Sequence, residues 1–327
     1  MKKIKLITLI SCVFAALCFG MGGSSPSNID LLGGSDQKDK AVEIIRQGLK
    51  SQDSTLRTNA VEAVVRSGYM PLMDDVVKML SDESVPVRFA ALVAIGDLSY
   101  MPAEPYLIKY LKDSDQNVQM AAAYALSSLG HQRYQPRIAE GVNSTNQTVK
   151  ANSVMLLGKI DNPDAKKILE WILKSPDAAD KVKIQAIESL AHLGDTDMYH
   201  KAWALLISKR SDDRIIGVRI MTQLKTAKAV NAVKTMLRDD LVEIRIAAAA
   251  ALARLNDPAG GILLKEYFDS ISGGIDKESR KRCNVQAALG LMELDQQKFG
   301  KYTRVLLNDK DEMIRIYGAM VVLNHVR

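Results

Sequence analysis

Apolar and small residues recur along the chain with a period close to 31 residues. Each unit contains an acidic residue, a short gap, an anchor residue that is usually basic, and then an Ala-rich apolar stretch. Two clear copies are DESVPVRFAALVAIGDL from Asp82 and DDLVEIRIAAAAALARL from Asp239. Such a fixed period is typical of a repeat architecture. The nine anchors are Arg57, Arg88, Gln119, Lys150, Lys183, Arg214, Arg245, Arg282 and Arg315.

The residues that follow the anchors form regular columns. Three residues after the anchor, eight of the nine units have a small residue, and Val285 is the exception. Seven residues after the anchor, all nine units have an apolar residue. Small side chains allow helices to approach closely, and large ones fill the space between them. The columns therefore predict one face of a helix that packs in the same way in every unit.

The half of each unit before the anchor also has apolar residues at helical spacing, as in residues 71–80 and 228–237. Pro71 and Pro102 suit the first turn of such a helix. Good N-cap residues for the second helix stand four residues before the anchor in five units: Asp53, Ser84, Asp115, Asn146 and Asp311. Alternating polar and apolar runs are absent. The pattern predicts an all-α fold, an α-α superhelix (solenoid) of about nine helix pairs.

The spacing of Asp, five residues, Arg and an Ala-rich helix that ends in Leu-Gly resembles the short bacterial HEAT-like repeat of the phycobilin-lyase type. The resemblance covers about Asp39 to Arg327 and implies a HEAT-repeat superhelix. It also implies that the acidic and basic residues form a ladder that joins adjacent repeats and has a structural role. The matching pairs are Asp82/Arg88, Asp177/Lys183, Asp239/Arg245, Asp276/Arg282 and Asp309/Arg315.

Two enzyme classes with this kind of repeat do not match the chain. The diiron hydroxylase with HEAT repeats carries His-Glu pairs at helix starts, whereas this sequence has no His-Glu dipeptide. Its four histidines also occupy different positions in the repeat. A phycobilin lyase is expected in the cytoplasm, which disagrees with the N-terminus of this chain. The resemblance is thus specific for the fold and says little about function.

The N-terminus resembles an export signal. Three lysines precede an apolar run from Leu6 to about Met21, and small residues with Pro26 follow. The run is short for a transmembrane helix. We predict a signal peptide over residues 1–22, a flexible Gly/Ser-rich linker over 23–38 and the solenoid over 39–327.

The predicted location is therefore outside the cytoplasm, in the periplasm or cell envelope. How the protein is released stays open among three alternatives. A signal peptidase could cleave near Gly20 or Gly22, a lipid could be attached at Cys12 or Cys18, or the segment could remain as an uncleaved anchor.

Composition narrows the function. The hydrophobic fraction of 47% and the charged fraction of 25% are ordinary for a folded protein. The net charge of +6 includes three lysines of the signal, and the other charges are mixed, which argues against a nucleic-acid-binding surface. Beyond residue 18 the only cysteine is Cys283, which excludes an intrachain disulfide framework and a paired-cysteine zinc site in that part.

We find no motif for catalysis, for a cofactor or for a metal in the sequence. Cys283 is interpreted as a structural thiol. Repeat eight is longer than the others around Ser270–Asp276, which indicates either a recognition loop or a tolerated insertion. The apolar C-terminal stretch from Ala319 to Val326 either packs on the preceding repeat or offers an edge for self-association.

Positions two, five and nine after the anchor share one face of each second helix, which the resemblance places on the concave side. On that face Val93, Tyr124 and Met155 form an apolar strip, and Asn152 and Glu188 lie beside it. One hypothesis is that this strip binds a protein or peptide partner. The alternative is that these side chains pack against neighbouring second helices.

The sequence as a whole favours a non-catalytic protein–protein interaction scaffold of the bacterial cell envelope, which binds its partner through the concave face. We expect no cofactor, no nucleic acid, and membrane contact only through an N-terminal lipid anchor. An auxiliary subunit of an enzyme or envelope complex is the first alternative, and an unrecognised enzyme is the second. The oligomeric state and the identity of the partner are not predicted.

Overall fold

The computed structural model describes residues 35–160, 162–271 and 274–326. Within these ranges the regular structure is entirely helical, with no strand, as the periodicity predicts. None of the helices in these ranges combines the length and the apolar character that a membrane crossing requires. The predicted signal peptide, Cys12, Cys18 and most of the predicted linker lie outside the described residues. Helix α1 already begins at Ser35, inside the predicted linker.

Eighteen α-helices in the described part form nine pairs, which confirms the predicted superhelix of nine repeats. The first helices of the pairs are α1 (Ser35–Leu49), α3 (Met73–Lys78), α5 (Glu104–Leu107), α7 (Gln135–Ala139), α9 (Pro163–Lys174), α11 (Tyr199–Leu206), α13 (Ala227–Thr235), α15 (Pro258–Glu266) and α17 (Gln296–Leu307). The second helices are α2 (Ser54–Ser67), α4 (Val85–Asp97), α6 (Gln116–Ser128), α8 (Gln147–Leu157), α10 (Asp180–His192), α12 (Ser211–Leu224), α14 (Val242–Arg254), α16 (Lys277–Leu291) and α18 (Glu312–His325).

Local sequence explains where the second helices begin. Asp53, Asp115, Asn146 and Asp311 each accept a hydrogen bond from the backbone N–H two residues later, at 2.7–3.0 Å. These bonds satisfy donors that the first turn of a helix leaves free. Ser84 occupies the same position before α4 without a side-chain bond. Four of the five predicted N-caps therefore work through their side chains.

The solenoid closes on itself. The second helices pack one against the next from α2 to α18, and α18 then packs against both α1 and α2. Gly48 of α1 permits this contact, because a Cβ atom there would lie 2.9 Å from Cδ1 of Ile316. Two hydrogen bonds also cross the junction, from Lys40 to Asn308 and from the Tyr317 hydroxyl to Glu62 at 3.4 Å. The repeats thus form a ring.

The apolar C-terminal stretch is buried because the ring closes. Met320 and Val322 of α18 are fully buried. Gly318 allows α18 to lie directly on α17, because a Cβ there would be 2.5 Å from the backbone nitrogen of Leu307. The stretch therefore packs within the ring and is not left as an edge for self-association.

The structure corrects the register of repeat eight. Ala287 and Leu291 are fully buried at the places of the small and large columns, whereas Val285 and Leu289 are only half-buried. The structural anchor of this repeat is therefore Asn284 and not Arg282. Asn284 stands 31 residues before Arg315, which is the normal period. The positive charge selects Arg282 as the anchor, whereas the buried small and large residues select Asn284.

Closure of the ring can be tested by small-angle X-ray scattering of the purified protein. A compact chain of this length has a radius of gyration of about 20 Å. We expect a value close to this, because the first and last repeats are in contact. A clearly larger radius, with a maximum dimension that grows as in an extended superhelix, would show that the ends are apart.

Candidate functional site

Arginine–aspartate pairs join adjacent repeats. The three pairs are Arg57–Asp82, Arg88–Asp113 and Arg214–Asp239, each separated by 25 residues. In the first pair, Nε and Nη2 of Arg57 donate to the two carboxylate oxygens of Asp82 at 2.7 and 2.8 Å. Nη1 of Arg57 also donates to the backbone carbonyl of Ser51 at 2.8 Å. Each such arginine therefore ties the start of its own repeat to the loop of the next one.

The remaining predicted ladder residues do not all join repeats. Arg245 and Arg315 donate to backbone carbonyls of their own repeat, such as that of Asp239 at 2.8 Å and that of Asp309 at 3.1 Å, and Arg315 also lies 3.7 Å from Glu312 of its own helix. Within the described residues Asp177 and Lys183 form no ion pair. Other side-chain pairs join these repeats to their neighbours, such as Arg219–Glu188 and Arg282–Glu243.

The prediction that Asp276 and Arg282 belong to the ladder is wrong. Asp276 is the N-cap of α16 and accepts from the backbone N–H of Glu278 at 3.1 Å. Arg282 donates to Glu243 of the previous repeat at 2.7 Å. The cause is the shifted register, since Asn284 occupies the place of the ladder arginine.

The ladder pairs are partly buried ion pairs with additional hydrogen bonds. Burial by itself would raise the pKa of Asp82, but hydrogen bonds from Arg57 and from the backbone N–H of Ser84 hold that pKa below its ordinary value. The side chains of Arg57 and Asp82 are 9% and 8% exposed. Because the guanidinium is withdrawn from water, removing Asp82 leaves a buried charge whose next carboxylate, that of the exposed Glu83, lies 3.8 Å from Nη2.

Substitution of Asp82 by Ala tests the structural role of the ladder. We expect the free energy of unfolding to fall by about 3 kcal/mol or more, as for the loss of one partner of a buried pair. The matched control is Glu83→Ala at the next residue, whose side chain is 92% exposed and lies 3.8 Å from the same guanidinium, so that its loss should cost less than about 1 kcal/mol, as for a surface ion pair. Urea denaturation measures both. Equal effects of the two substitutions would contradict a special role for the Asp82 pair.

The predicted apolar strip is not on the surface. Val93, Tyr124 and Met155 are 0%, 5% and 8% exposed. Gly96 of α4 allows the ring of Tyr124 to pack closely, because a Cβ there would lie 2.6 Å from Cε1 of that ring. The prediction of an exposed docking strip is therefore wrong, and the alternative of packing between second helices is right for these three residues.

Polar groups beside the strip bond to one another inside the ring. The Tyr124 hydroxyl donates to Asp97 at 2.6 Å, and Nζ of Lys159 donates to both oxygens of Asp97 at 3.0 Å. This network spans three successive repeats. Burial, with the nearby charge of Asp97, raises the pKa of Tyr124 well above its ordinary value. The hydroxyl therefore stays protonated and acts as a donor.

The two other residues predicted to bind a partner also have intramolecular contacts. Glu188 is buried and accepts from Nε and Nη2 of Arg219 at 2.6 and 2.9 Å. Asn152 is half-buried and donates to Asn117 of the previous repeat at 2.9 Å. The second-helix face thus consists of contacts that hold the ring together.

Substitution of Met155 by Glu tests this assignment. A carboxylate at that position would be buried without a partner, so we expect the protein to lose about 3 kcal/mol or more of stability. The control is Trp171→Glu on the outer surface, which should unfold at nearly the wild-type temperature. Differential scanning calorimetry compares the two. A Met155 variant as stable as wild type would show that the side chain is accessible to water.

A cavity of about 300 Å³ lies between repeats eight and nine, lined by residues of the turn after α15, of α16, of α17 and by Asp309. The rings of Phe268 and Tyr302 in its wall are stacked, with centroids 4.9 Å apart. Asp269 at its edge accepts from Lys265 and from the Tyr302 hydroxyl, both at 2.7 Å. These bonds, that of Lys265 first, lower the pKa of Asp269 to about 2. The carboxylate is therefore charged at physiological pH and pairs with Lys265 and Lys301.

The longer segment of repeat eight helps to build this cavity. The chain continues beyond α15 as a π-helical turn over Tyr267–Ile271, which brings Phe268 and Asp269 to the cavity wall. Tyr267 is fully buried behind it and donates its hydroxyl to Asn284 at 2.7 Å. The longer segment of repeat eight therefore forms part of the cavity wall.

Cys283 also belongs to this region. It is fully buried, and burial raises the pKa of its thiol to about 12. The group stays a neutral thiol at physiological pH and does not act as a nucleophile. Among the described residues no group of three or more His, Cys, Asp or Glu side chains is arranged to hold a metal ion.

The outer surface of the ring carries the two tryptophans of the chain. Trp171 on α9 is 53% exposed and Trp203 on α11 is 38% exposed. Tyr199 stacks on Trp203, and Nζ of Lys228 lies 4.0 Å from the centroid of the Tyr199 ring. We name Trp171, Tyr199, Trp203 and the exposed Ile207 the outer aromatic surface. This surface lies on first helices, whereas the partner-binding residues predicted from the sequence lie on second helices.

The family model for HEAT repeats matches residues 73–146 and 134–216. The matched ranges run from α3 into α12, and the same helix pair recurs on both sides of them. Residues 73–216 of the chain are HEAT repeats. No curated protein matches the chain in sequence.

Solved structures similar to this chain include proteins of different kinds. E. coli YibA is 20% identical, over 70% of this chain and 84% of that one, with a TM-score of 0.34. The complex of CpcE and CpcF of phycocyanin lyase from Nostoc sp. PCC7120 is 20% identical, over 86% and 94%, with a TM-score of 0.32. Human deoxyhypusine hydroxylase is 17% identical, over 78% and 97%, with a TM-score of 0.36. These low values transfer no function to this chain.

Proposed function

We propose that this protein is a non-catalytic scaffold of the bacterial cell envelope that binds a protein partner through its outer aromatic surface. The observation that carries the proposal is the exposure of both tryptophans, Trp171 and Trp203, on consecutive first helices. Tryptophan is the residue most enriched at the energetic centres of protein interfaces, and it is usually well buried in a folded monomer.

Closure of the ring supports a site on the outside. The second-helix face, which would line the groove of an open superhelix, is used for contacts within the ring. The extended surface that remains is formed by the first helices. Exposed large apolar side chains lie on or beside several of them: Tyr106, Ile108, Trp171, Trp203, Ile207, Ile262 and Val305. A partner that follows the outside of the ring would therefore meet apolar anchors at successive repeats.

The envelope location is part of the proposal and rests on the sequence. The basic, apolar and small-residue order of the N-terminus is that of an export signal. The non-catalytic role is supported by Cys283, whose protonated thiol is buried. An auxiliary subunit of an envelope enzyme would use the same outer surface, so the nature of the captured partner separates that alternative from a general scaffold.

Site-specific photo-crosslinking in the native cells tests the proposal. A photoreactive amino acid is placed at Trp171 or Trp203, and, as a matched control, at Lys78 on α3, an exposed first-helix position in repeat two. We expect one discrete partner adduct in the envelope fraction from positions 171 and 203. We expect none from position 78.

The partner found in this way gives a second measurement. Substitution of both Trp171 and Trp203 by Ala should weaken its binding at least tenfold, with an unchanged melting temperature, because both side chains are exposed. In the wild-type protein all tryptophan fluorescence comes from this surface, so binding should shift the emission to shorter wavelength. Adducts of equal yield at position 78, or binding that survives both substitutions, would contradict the proposed site.

A further inference from the structure

The ladder is incomplete between repeats eight and nine. Asn284 stands 25 residues before Asp309, which is the separation of the pairs Arg57–Asp82, Arg88–Asp113 and Arg214–Asp239. Asn284 therefore occupies the arginine position of a rung, and Asp309 occupies its carboxylate position. The asparagine side chain is shorter than that of arginine and carries no charge. Both residues line the 300 Å³ cavity, which takes up the place of the missing guanidinium.

Three polar side chains at this cavity have unused hydrogen-bonding groups. Asn284 is only 5% exposed, and its Oδ1 accepts from Tyr267, while its Nδ2 has no hydrogen bond to any described residue. The Asp309 side chain accepts only from the backbone N–H of Asp311, at 2.9 Å. Arg280 is an exposed residue at the rim of the cavity, and its guanidinium makes no hydrogen bond or ion pair within the described part of the chain. Nδ2 of Asn284 is not among the side-chain atoms closed off from solvent, so it can donate to a ligand or water in the cavity.

The other charged side chains at the cavity form one cluster. Asp269 is bonded to Lys265 and Tyr302, and Lys301 lies 3.5 Å from Asp269, so the two lysines share one carboxylate. Among the charged residues that line the cavity, Arg280 and Asp309 form no ion pair within the described part of the chain. A ligand that carries only one sign of charge would leave the other uncompensated.

We propose that this vacant rung binds a small zwitterion of the amino-acid class. Its guanidinium or ammonium group replaces the missing ladder arginine on Asp309, and its carboxylate accepts from Arg280 and from Nδ2 of Asn284. The stacked rings of Phe268 and Tyr302 enclose the apolar part between the two charges. The volume of about 300 Å³ is at the lower end for small-molecule sites and admits a single amino acid. The site is distinct from the outer aromatic surface.

Isothermal titration calorimetry of the purified full chain tests the proposal with three related compounds. L-Arginine carries all the proposed groups, L-citrulline replaces its guanidinium by a neutral group of similar shape, and agmatine lacks its carboxylate. We expect L-arginine to bind, and citrulline and agmatine to bind at least tenfold more weakly. No heat with L-arginine, or equal affinity for citrulline, would overturn the proposal.

Substitution of Asn284 by Arg restores the rung from within the chain. The new guanidinium should occupy the cavity, abolish binding of L-arginine and raise the melting temperature by about 2 °C. Arg280→Gln tests the carboxylate contact without filling the cavity, and it should remove the preference for L-arginine over agmatine. Lys298→Ala, an exposed change on α17, should bind as wild type does. Undiminished binding of L-arginine by the Asn284 variant would place the ligand elsewhere and overturn the proposal.

Discussion

The packing of α18 against α1 and α2 is the contact on which the rest of this structure depends. An open solenoid ends in two apolar faces, and its terminal repeats need polar outer surfaces to stay soluble. This chain instead covers each end with the other, so the apolar residues of α18 remain buried without a cap. The same contact makes the second helices an interior layer. The second helices therefore do not line an open groove, and the first helices form the outer surface of the ring.

Regular local signals in the sequence predict much of the fold. The small and large columns, the N-cap residues and the acidic-to-basic spacing all act within one repeat or between neighbours, and nine copies reinforce one another. Closure is different, because it depends on small rotations that accumulate from repeat to repeat across the whole chain. No single position records that sum. The sequence therefore predicts that Tyr124 and Met155 line an open groove, although they lie in the interior.

Repeat eight shows which local signal is the more reliable. If the repeats are aligned on their basic residue, Arg282 becomes the anchor. Val285 then falls in the column that has small residues in the other eight repeats. Alignment by packing selects Asn284, which restores Ala287 and Leu291 to their columns and the period of 31 residues to Arg315. Burial of apolar volume constrains every repeat, whereas a surface charge can be lost or moved. The misfit of Val285 was the signal that could have located the vacant rung.

A comparison of the two interrupted positions of the ladder shows how the vacant rung differs from the other one. Where Gln119 replaces the arginine, the residue 25 positions later is Ser144, so base and acid are both absent and no carboxylate is left over. At the rung of repeats eight and nine the arginine is replaced and Asp309 remains beside a cavity. A carboxylate without a cationic partner would destabilise the contact between repeats eight and nine. In the complete rungs an arginine of the chain supplies the charge opposite the carboxylate, and a ligand in the cavity would supply it opposite Asp309.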